Sequence, residues 1–144
     1  MIHIIVATHG PLATALLESG KMVYGDLPHR QAVCLNAQAG IAGFRRDFAA
    51  AYHRAGAGAD GIGIVVLCDM QSGTPWNVAC EYAFNPQTHP PVAVVAGVNF
   101  PMLLLTDDIL MARDVHAAAA QLIELTQPTL VQAKRVESAQ NDDF

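Results

Sequence analysis

One histidine and one aspartate follow apolar runs of this sequence, in positions where the two side chains could act together. His9 follows the run Ile2–Ala7, and Asp69 follows the run Gly61–Leu67. An aspartate that accepts a hydrogen bond from Nδ1–H of a histidine fixes the tautomer and leaves Nε2 as a nucleophile. The carboxylate also stabilises the positive charge that develops on the ring when Nε2 attacks phosphorus. The pair therefore predicts nucleophilic chemistry on His9, supported by Asp69.

The segment after Asp69 supplies groups that suit an anion. Ser72 and Thr74 offer hydroxyls, and Gly73 offers an unobstructed amide. Pro75 after Thr74 predicts a helix that begins here with Thr74 as its cap, and helix N-termini favour anions. Phosphoryl transfer depends mostly on positioning and charge stabilisation. The sequence therefore predicts a phosphate site formed by Ser72, Gly73 and Thr74, and this site requires neither a metal nor another cofactor.

Four short apolar runs, rich in valine and isoleucine, predict the strands that would position these loops. They are Ile2–Ala7, Gln31–Leu35, Gly61–Leu67 and Pro91–Ala96. Their continuous apolar character is typical of parallel strands that are covered on both faces. The predicted helices begin near Pro11, Ile41, Thr74, Asn99 and Asp114. A last apolar run, Thr129–Val131, is a candidate antiparallel fifth strand.

Strands that alternate with helices predict an α/β fold with three layers and an open, mainly parallel sheet. A sheet order of 2-1-3-4 would place the first and third strands side by side at the topological switch point, where ligands of such folds bind. This arrangement brings the loop at His9 next to the loop at Asp69. We expect residues 1–136 to form one domain and residues 137–144 to form a polar tail.

Composition limits the classes of function. The chain has 144 residues, 52% of them hydrophobic, and a formal net charge of −5, which suits one domain with its own core. The few basic residues form no concentrated face, so we do not expect nucleic acid as a partner. The apolar stretches are far shorter than the ~20 residues that span a bilayer, so we expect no membrane insertion. Three cysteines without a CxxC pair suit a reducing compartment, and we expect a cytoplasmic protein.

Three segments of the chain resemble those of a known family. They are Ile5–Gly10, Leu67–Asn77 and Ala96–Leu103. In this order and at this spacing they resemble the enzyme IIA domain of the mannose/fructose/sorbose family of the bacterial phosphoenolpyruvate:sugar phosphotransferase system. The resemblance extends from about Met1 to Leu130.

The resemblance implies a role for each site residue. His9 matches the phosphorylated histidine, and Asp69 matches the carboxylate paired with its ring. Thr74 matches a Ser or Thr that lines the phosphate site, and Gly73 matches the glycine before it. The resemblance also implies that phosphate comes from HPr and passes to an enzyme IIB.

The resemblance further implies a flavodoxin-like sheet and a homodimer, which some members form by exchanging a C-terminal strand. Thr129–Val131 is the candidate for that strand. The sequence departs from the family at Ser72, where glycine is common, and at Pro11, where bulkier residues are frequent. It also lacks the Ala/Pro-rich linker of fused members, so we expect IIB to be a separate chain.

Three other functions stay open at this point. A regulatory module that senses phosphorylation would need the same His9. A serine hydrolase could use Ser72 with His9 and Asp69, but residues 70–74 lack the first glycine of a G-x-S-x-G elbow. The phosphoryl-donor subunit of dihydroxyacetone kinases shares the fold, but its site motifs are less similar to those of this chain.

Several other residues of reactive types have simpler interpretations. Cys68 next to Asp69 lacks a third firm ligand for a metal, so we interpret it as a buried strand residue. The remaining histidines are interpreted as surface or structural residues, because none ends a predicted strand beside a partner. These are His3, His29, His53, His89 and His116.

Overall fold

The computed structural model describes residues 1–58 and 61–135, where strands and helices alternate. The elements are β1 (His3–His9), α1 (Leu12–Tyr24), β2 (Arg30–Leu35), α2 (Gly40–Gly58), β3 (Ile64–Cys68), α3 (Thr74–Ala83), β4 (Val92–Ala96), α4 (Phe100–Leu105) and α5 (Val115–Thr126). Two 3-10 helices, Thr106–Ile109 and Gln127–Thr129, follow α4 and α5. The predicted tail, residues 137–144, lies outside the described residues, as does residue 136 of the predicted domain.

The strands form one parallel sheet in the order β2-β1-β3-β4, which confirms the predicted topology. In the register of the sheet, His9 lies opposite Leu35 on β2, and Ala7 lies opposite Cys68 on β3. The carboxyl ends of β1 and β3 are therefore neighbours. This edge is the topological switch point, where the sequence predicts the site.

Alternate side chains of the strands enter two separate cores, which makes the fold three-layered. Ile4 and Val6 face the layer that α1, α4 and α5 form, whereas Ile5 and Ala7 face α2 and α3. Both faces of the sheet are thus covered, which explains why the strands are apolar without interruption. None of the helices in the described ranges is both long enough and apolar enough to cross a membrane.

Two of the predicted helix starts have side-chain caps. Asn99 Oδ1 accepts a hydrogen bond from the N–H of Met102 at 2.9 Å, and Asp114 Oδ1 accepts from His116 and Ala117 at 2.8 and 3.0 Å. The start of α3 differs from the prediction. Its N-cap is Gly73, and Thr74 is the first helical residue without a capping hydrogen bond. The chain turns at Gly73 with φ of +86°, a conformation that favours glycine, and Thr74 is thereby moved into the helix.

The predicted fifth strand is wrong for the single chain. Thr129 ends the 3-10 helix that continues α5, and its hydroxyl donates to the carbonyl of Thr126 at 2.6 Å. Pro128 fits this continuation because its fixed φ suits the first turn of a helix. Leu130 and Val131 follow the helix and are exposed. The sheet of the described residues therefore has four strands.

Candidate active site

His9 is the last residue of β1, and the turn that follows it is held by hydrogen bonds on both sides. The N–H of Gly10 donates to the carbonyl of Leu35 at 2.7 Å, which attaches the turn to β2. The buried hydroxyl of Thr8 accepts from the N–H of Ala13 at 2.8 Å. Because the N-cap of α1 is Pro11 and makes no side-chain cap bond, Thr8 takes over that task. Sequence reasoning missed Thr8, although a threonine shortly before a predicted helix is a usable signal.

Asp69 binds His9 through a single carboxylate oxygen. Its Oδ2 lies 2.9 Å from Nδ1 of the His9 ring and accepts the backbone N–H of His9 at 3.1 Å. A carboxylate accepts hydrogen bonds only, so Nδ1 carries a proton, and Nε2 of the neutral ring keeps its lone pair. The two bonds fix both the backbone of His9 and the orientation of its ring. The contact predicted across the switch point is present.

The two side chains differ in their exposure to solvent. The His9 side chain is 41% exposed, whereas that of Asp69 is 16% exposed. The second oxygen of Asp69, Oδ1, is buried and has no hydrogen-bond partner within residues 1–58 and 61–135. A carboxylate with so little solvation interacts more strongly with a charge on the ring than it would in water. The His9 side chain is thus partly exposed to solvent, whereas the carboxylate that stabilises charge on its ring is mostly buried.

Gly73 lies directly against the reactive edge of the His9 ring. A Cβ atom at this position would lie 2.8 Å from Nε2 and 2.9 Å from Cε1. Only a glycine leaves this space open, and only a glycine adopts the φ of +86° without strain. Gly73 is also the N-cap of α3, so the positive end of the ten-residue helix begins next to Nε2.

Both hydroxyls of the predicted phosphate site lie close to Gly73 in the chain. Ser72 is exposed on the loop, and Thr74 is half-buried at the first position of α3. Neither hydroxyl takes part in a hydrogen bond within the part of the chain that the structure describes, so both are available to a ligand. The hydrolase alternative would need a bond from Ser72 to Nε2, and the described residues form none. Nε2 faces Gly73 instead.

Cys68 has the simple role that the sequence predicts. It is fully buried in β3, and burial, helped by the adjacent charge of Asp69, raises the pKa of its thiol to about 12. The thiol is therefore protonated at neutral pH and is a poor ligand or nucleophile. Among the residues described, no three His, Cys, Asp or Glu side chains lie close enough together to hold a metal ion.

The other five histidines lie away from this edge of the sheet. The rings of His3, the first residue of β1, and His29, which precedes β2, contact each other with centroids 4.8 Å apart. His53, His89 and His116 are exposed on α2, on the loop before β4 and on α5. The interpretation of these residues as surface or structural histidines agrees with their positions.

The arrangement at the switch point combines three chemical properties. Nε2 of His9 is an oriented nucleophile on a partly exposed ring, and Asp69 stabilises positive charge on that ring. Nε2 points towards Gly73 at the N-terminus of α3, and the neighbouring residues Ser72 and Thr74 have unengaged hydroxyls. These are the properties that covalent capture of a phosphoryl group requires.

Comparison with known proteins gives consistent matches. The family model "PTS system fructose IIA component" matches residues 3–127. The sorbose-specific EIIA component of Klebsiella pneumoniae is 33% identical over 105 residues, which are 72% of this chain and 71% of that protein. The mannose-specific EIIAB component of Escherichia coli K12 is 29% identical over 148 residues, 96% of this chain and 42% of that protein.

A solved structure agrees with these matches. The mannose/sorbose specific IIA subunit from Enterococcus faecalis superposes with a TM-score of 0.78 at 29% identity, covering 95% of this chain and 98% of that one. Fold, sheet order and sequence thus point to one group of proteins. The chain belongs to the family of PTS system fructose IIA components, the EIIA-man family.

Proposed function

We propose that this protein is a cytoplasmic phosphoryl carrier of a sugar phosphotransferase system. It accepts a phosphoryl group from HPr on Nε2 of His9 and passes it to an enzyme IIB. The observation that carries this proposal is the 2.9 Å contact between Asp69 Oδ2 and Nδ1 of His9, which leaves Nε2 of the partly exposed ring as the nucleophile. Membership of the EIIA-man family supports the same chemistry.

The proposed transfer step uses the groups that the geometry brings together. The lone pair of Nε2 attacks the phosphorus of the donor's phosphohistidine, the new N–P bond forms, and the N–P bond of the donor breaks. The bonding electron pair stays on the ring nitrogen of the donor. Asp69 stabilises the positive charge that the His9 ring gains, since its carboxylate accepts from Nδ1–H. The hydroxyls of Ser72 and Thr74 and the N–H groups that begin α3 bind the phosphoryl oxygens.

The same chemistry runs in reverse order when enzyme IIB accepts the group. A nucleophile of IIB attacks the phosphorus, and the N–P bond to His9 breaks. The electron pair returns to Nε2, and the neutral ring with its proton on Nδ1 is restored. Because Asp69 favours the phosphorylated ring without forming a covalent bond, it stabilises the intermediate and still permits its release.

The first test is the site of phosphorylation. With phosphoenolpyruvate, enzyme I and HPr, the protein should gain one acid-labile, base-stable phosphate per chain. His9→Ala should abolish this labelling because His9 is the histidine whose Nδ1 is bound to Asp69 and whose Nε2 faces the N-terminus of α3. His53→Ala, at an exposed position on α2, is the matched control and should label normally. Normal labelling of the His9→Ala protein would end the proposal.

The second test concerns the carboxylate. Asp69→Asn retains the size of the side chain but removes the charge that stabilises the ring during attack. We expect the rate of phosphate transfer from HPr to fall by roughly 10²- to 10⁴-fold, in line with the same exchange in hydrolase triads. Rapid-quench measurement of single-turnover transfer gives this rate. Asp108→Asn, at an exposed position on the 3-10 helix after α4, should transfer at the normal rate. Equal rates for the two variants would contradict a role for Asp69.

The third test separates steric access from backbone strain at Gly73. Gly73 and Gly97 have nearly the same φ, +86° and +87°, but a Cβ at Gly97 would meet no atom within 4 Å. Alanine at either position should cost about 1–3 kcal/mol of stability because of the positive φ. Only Gly73→Ala should also block His9, and we expect its phosphorylation to slow at least about 10²-fold. Thermal unfolding and labelling kinetics measure the two effects, and equal labelling of both variants would exclude a role for Gly73 at the ring.

We also propose that the carrier acts as a homodimer. β4 is an edge strand, and beside it lies a cavity of about 200 Å³ whose lining includes Trp76, Val94 and Ala119. The exposed Phe84 also lines this cavity, and Leu130 is exposed near the end of the described chain. An edge strand that leaves backbone groups unpaired and apolar side chains exposed is usually covered by another segment or another chain. Residues 129–131 of one protomer packed along β4 of its partner would cover it.

Sedimentation equilibrium tests the dimer. The wild-type protein should be dimeric at micromolar concentration, and Leu130→Asp combined with Val131→Asp should yield monomers, because burying two carboxylates against β4 is costly. Met111→Asp, an equally exposed apolar position, is the control and should stay dimeric. A monomeric wild-type protein, or a double variant as dimeric as the control, would contradict the proposal.

A further inference from the structure

The edge strand at the other side of the sheet, β2, has unpaired backbone groups on its outer side. The carbonyl of His29 accepts from the N–H of Ile4 at 2.9 Å, and the carbonyl of Leu35 accepts from the turn after β1 at 2.7 Å. Because backbone groups alternate along a strand, the odd-numbered residues of β2 bond to β1, and the N–H and C=O groups of Ala32 and Cys34 point outward. Within the described part of the chain, these groups have no hydrogen-bond partner.

The β2 edge also lacks the usual protection against another strand. Edge strands are commonly blocked by proline, by an exposed charged side chain or by a bulge. The strand contains no proline or lysine, and its register with β1 is unbroken from Arg30 to Leu35. The side chain of Arg30 is only 1% exposed, because it donates to the hydroxyl of Thr106 and the carbonyl of Pro28. The β2 edge is therefore able to pair with a further strand.

This edge is the floor of a groove between two helices. A cavity of about 330 Å³ lies along β2 between α1 and α2, and three of its lining residues belong to α2. They are Asp47, Ala50 and Arg54, at intervals of three and four residues, so they form one stripe along the side of α2 that faces the groove. The stripe has a small side chain in its middle and opposite charges at its two ends.

Neither charge of the stripe has a firm ionic partner among the described residues. Asp47 lies 3.7 Å from Arg46, and both of these side chains are exposed. Arg54 is exposed as well and donates to the neutral Oε1 of Gln31 at 2.7 Å. Gln31 is near the amino end of β2, so Arg54 lies at that end of the groove. Asp47 is about two helical turns away, towards the carboxyl end of β2.

The groove is complementary to a second copy of itself. A two-fold axis perpendicular to the sheet pairs two β2 strands antiparallel, with the amino end of one beside the carboxyl end of the other. Asp47 of each copy then lies next to Arg54 of the other. The two Ala50 side chains meet at the axis, where their small size lets the helices approach closely. The backbone groups of Ala32 and Cys34 bond to those of the second strand.

From these observations we propose that the β2 edge is a self-association surface, on which a second copy of this chain continues the sheet. The proposal does not depend on phosphoryl transfer, and it concerns the edge opposite to β4. If β4 also pairs between copies, the two contacts together join the chains into rows. An interface made by one short strand and one helix is small, and small interfaces are weak. We expect a dissociation constant of roughly 100 µM.

Mass as a function of concentration is the first measurement. In sedimentation velocity, the weight-average mass of the wild-type protein should rise at least about 1.5-fold between about 5 and 500 µM. Ala32→Pro removes an outward N–H that β1 does not use, and proline is tolerated on edge strands. This variant should fold, as thermal unfolding shows, and its mass should stay constant. A constant mass for the wild type, or an equal rise for folded Ala32→Pro, would overturn the proposal.

Charge reversal on α2 is the second measurement, and it leaves the strand unchanged. Asp47→Arg and Arg54→Asp each place like charges together at two symmetric positions, so each should weaken association at least about tenfold. The variant with both changes has opposite charges again, in reversed order, and should associate as the wild type does. Asp108→Arg, exposed on the 3-10 helix after α4, is the control and should also associate normally.

The combined variant makes this second measurement decisive. Loss of association in the single variants through misfolding would not be repaired by a second reversal, whereas loss through repulsion between copies would be. Single variants that associate as Asp108→Arg does would show that Asp47 and Arg54 do not meet across the contact. Failure of the combined variant to regain association would equally contradict the proposed pairing.

Discussion

The site depends on one carboxylate oxygen. Asp69 Oδ2 accepts both the backbone N–H of His9 and the proton on Nδ1 of its ring. The first bond attaches the end of β1 to the loop after β3, and the second sets the tautomer. The same atom, Asp69 Oδ2, therefore controls both the position of His9 and the tautomer of its ring. A change in one of them also affects the other.

The parallel sheet makes this contact a consequence of topology. In a parallel sheet, adjacent strands end at the same edge. At the switch point, the connections that follow two adjacent strands run to opposite faces of the sheet, which leaves a gap between their loops. Here β1 and β3 are the adjacent strands, paired from His3 with Ile64 to Ala7 with Cys68. The residues just beyond this ladder face each other, which explains why a histidine and an aspartate 60 positions apart in the chain meet. Helices α1 and α2 cover opposite faces of this sheet.

Much of this arrangement could be predicted from the sequence because it follows from apolar runs. The four strands, their order and the meeting of His9 with Asp69 need only hydrophobic pattern and chain topology. Two features differ from the prediction, the cap of α3 and the fifth strand, and both depend on dihedral angles and packing. The cap of α3 shifted from Thr74 to Gly73 because a positive φ turned the chain one residue earlier. Residues 129–131 have strand propensity, but Pro128 and the hydroxyl of Thr129 continue a helix instead.

The close approach of Gly73 to Nε2 was also outside the reach of sequence reasoning. The sequence predicts that this glycine offers an amide to a phosphate, which is a statement about its backbone. The structure adds that the absent side chain matters as much, since a Cβ would lie 2.8 Å from Nε2. Such a contact depends on the placement of two loops relative to each other to within an ångström. The spacing of hydrophobic residues predicts helices and strands, but it does not predict distances between loops to within an ångström.

The exposure of the site fits the proposed role of a carrier that serves two partners in turn. A buried histidine would be well protected but unreachable for another protein, and a histidine without a carboxylate behind it would be a weaker nucleophile. The structure combines a 41% exposed ring with a 16% exposed carboxylate. The ring that bears Nε2 is therefore more exposed than the carboxylate that supports it.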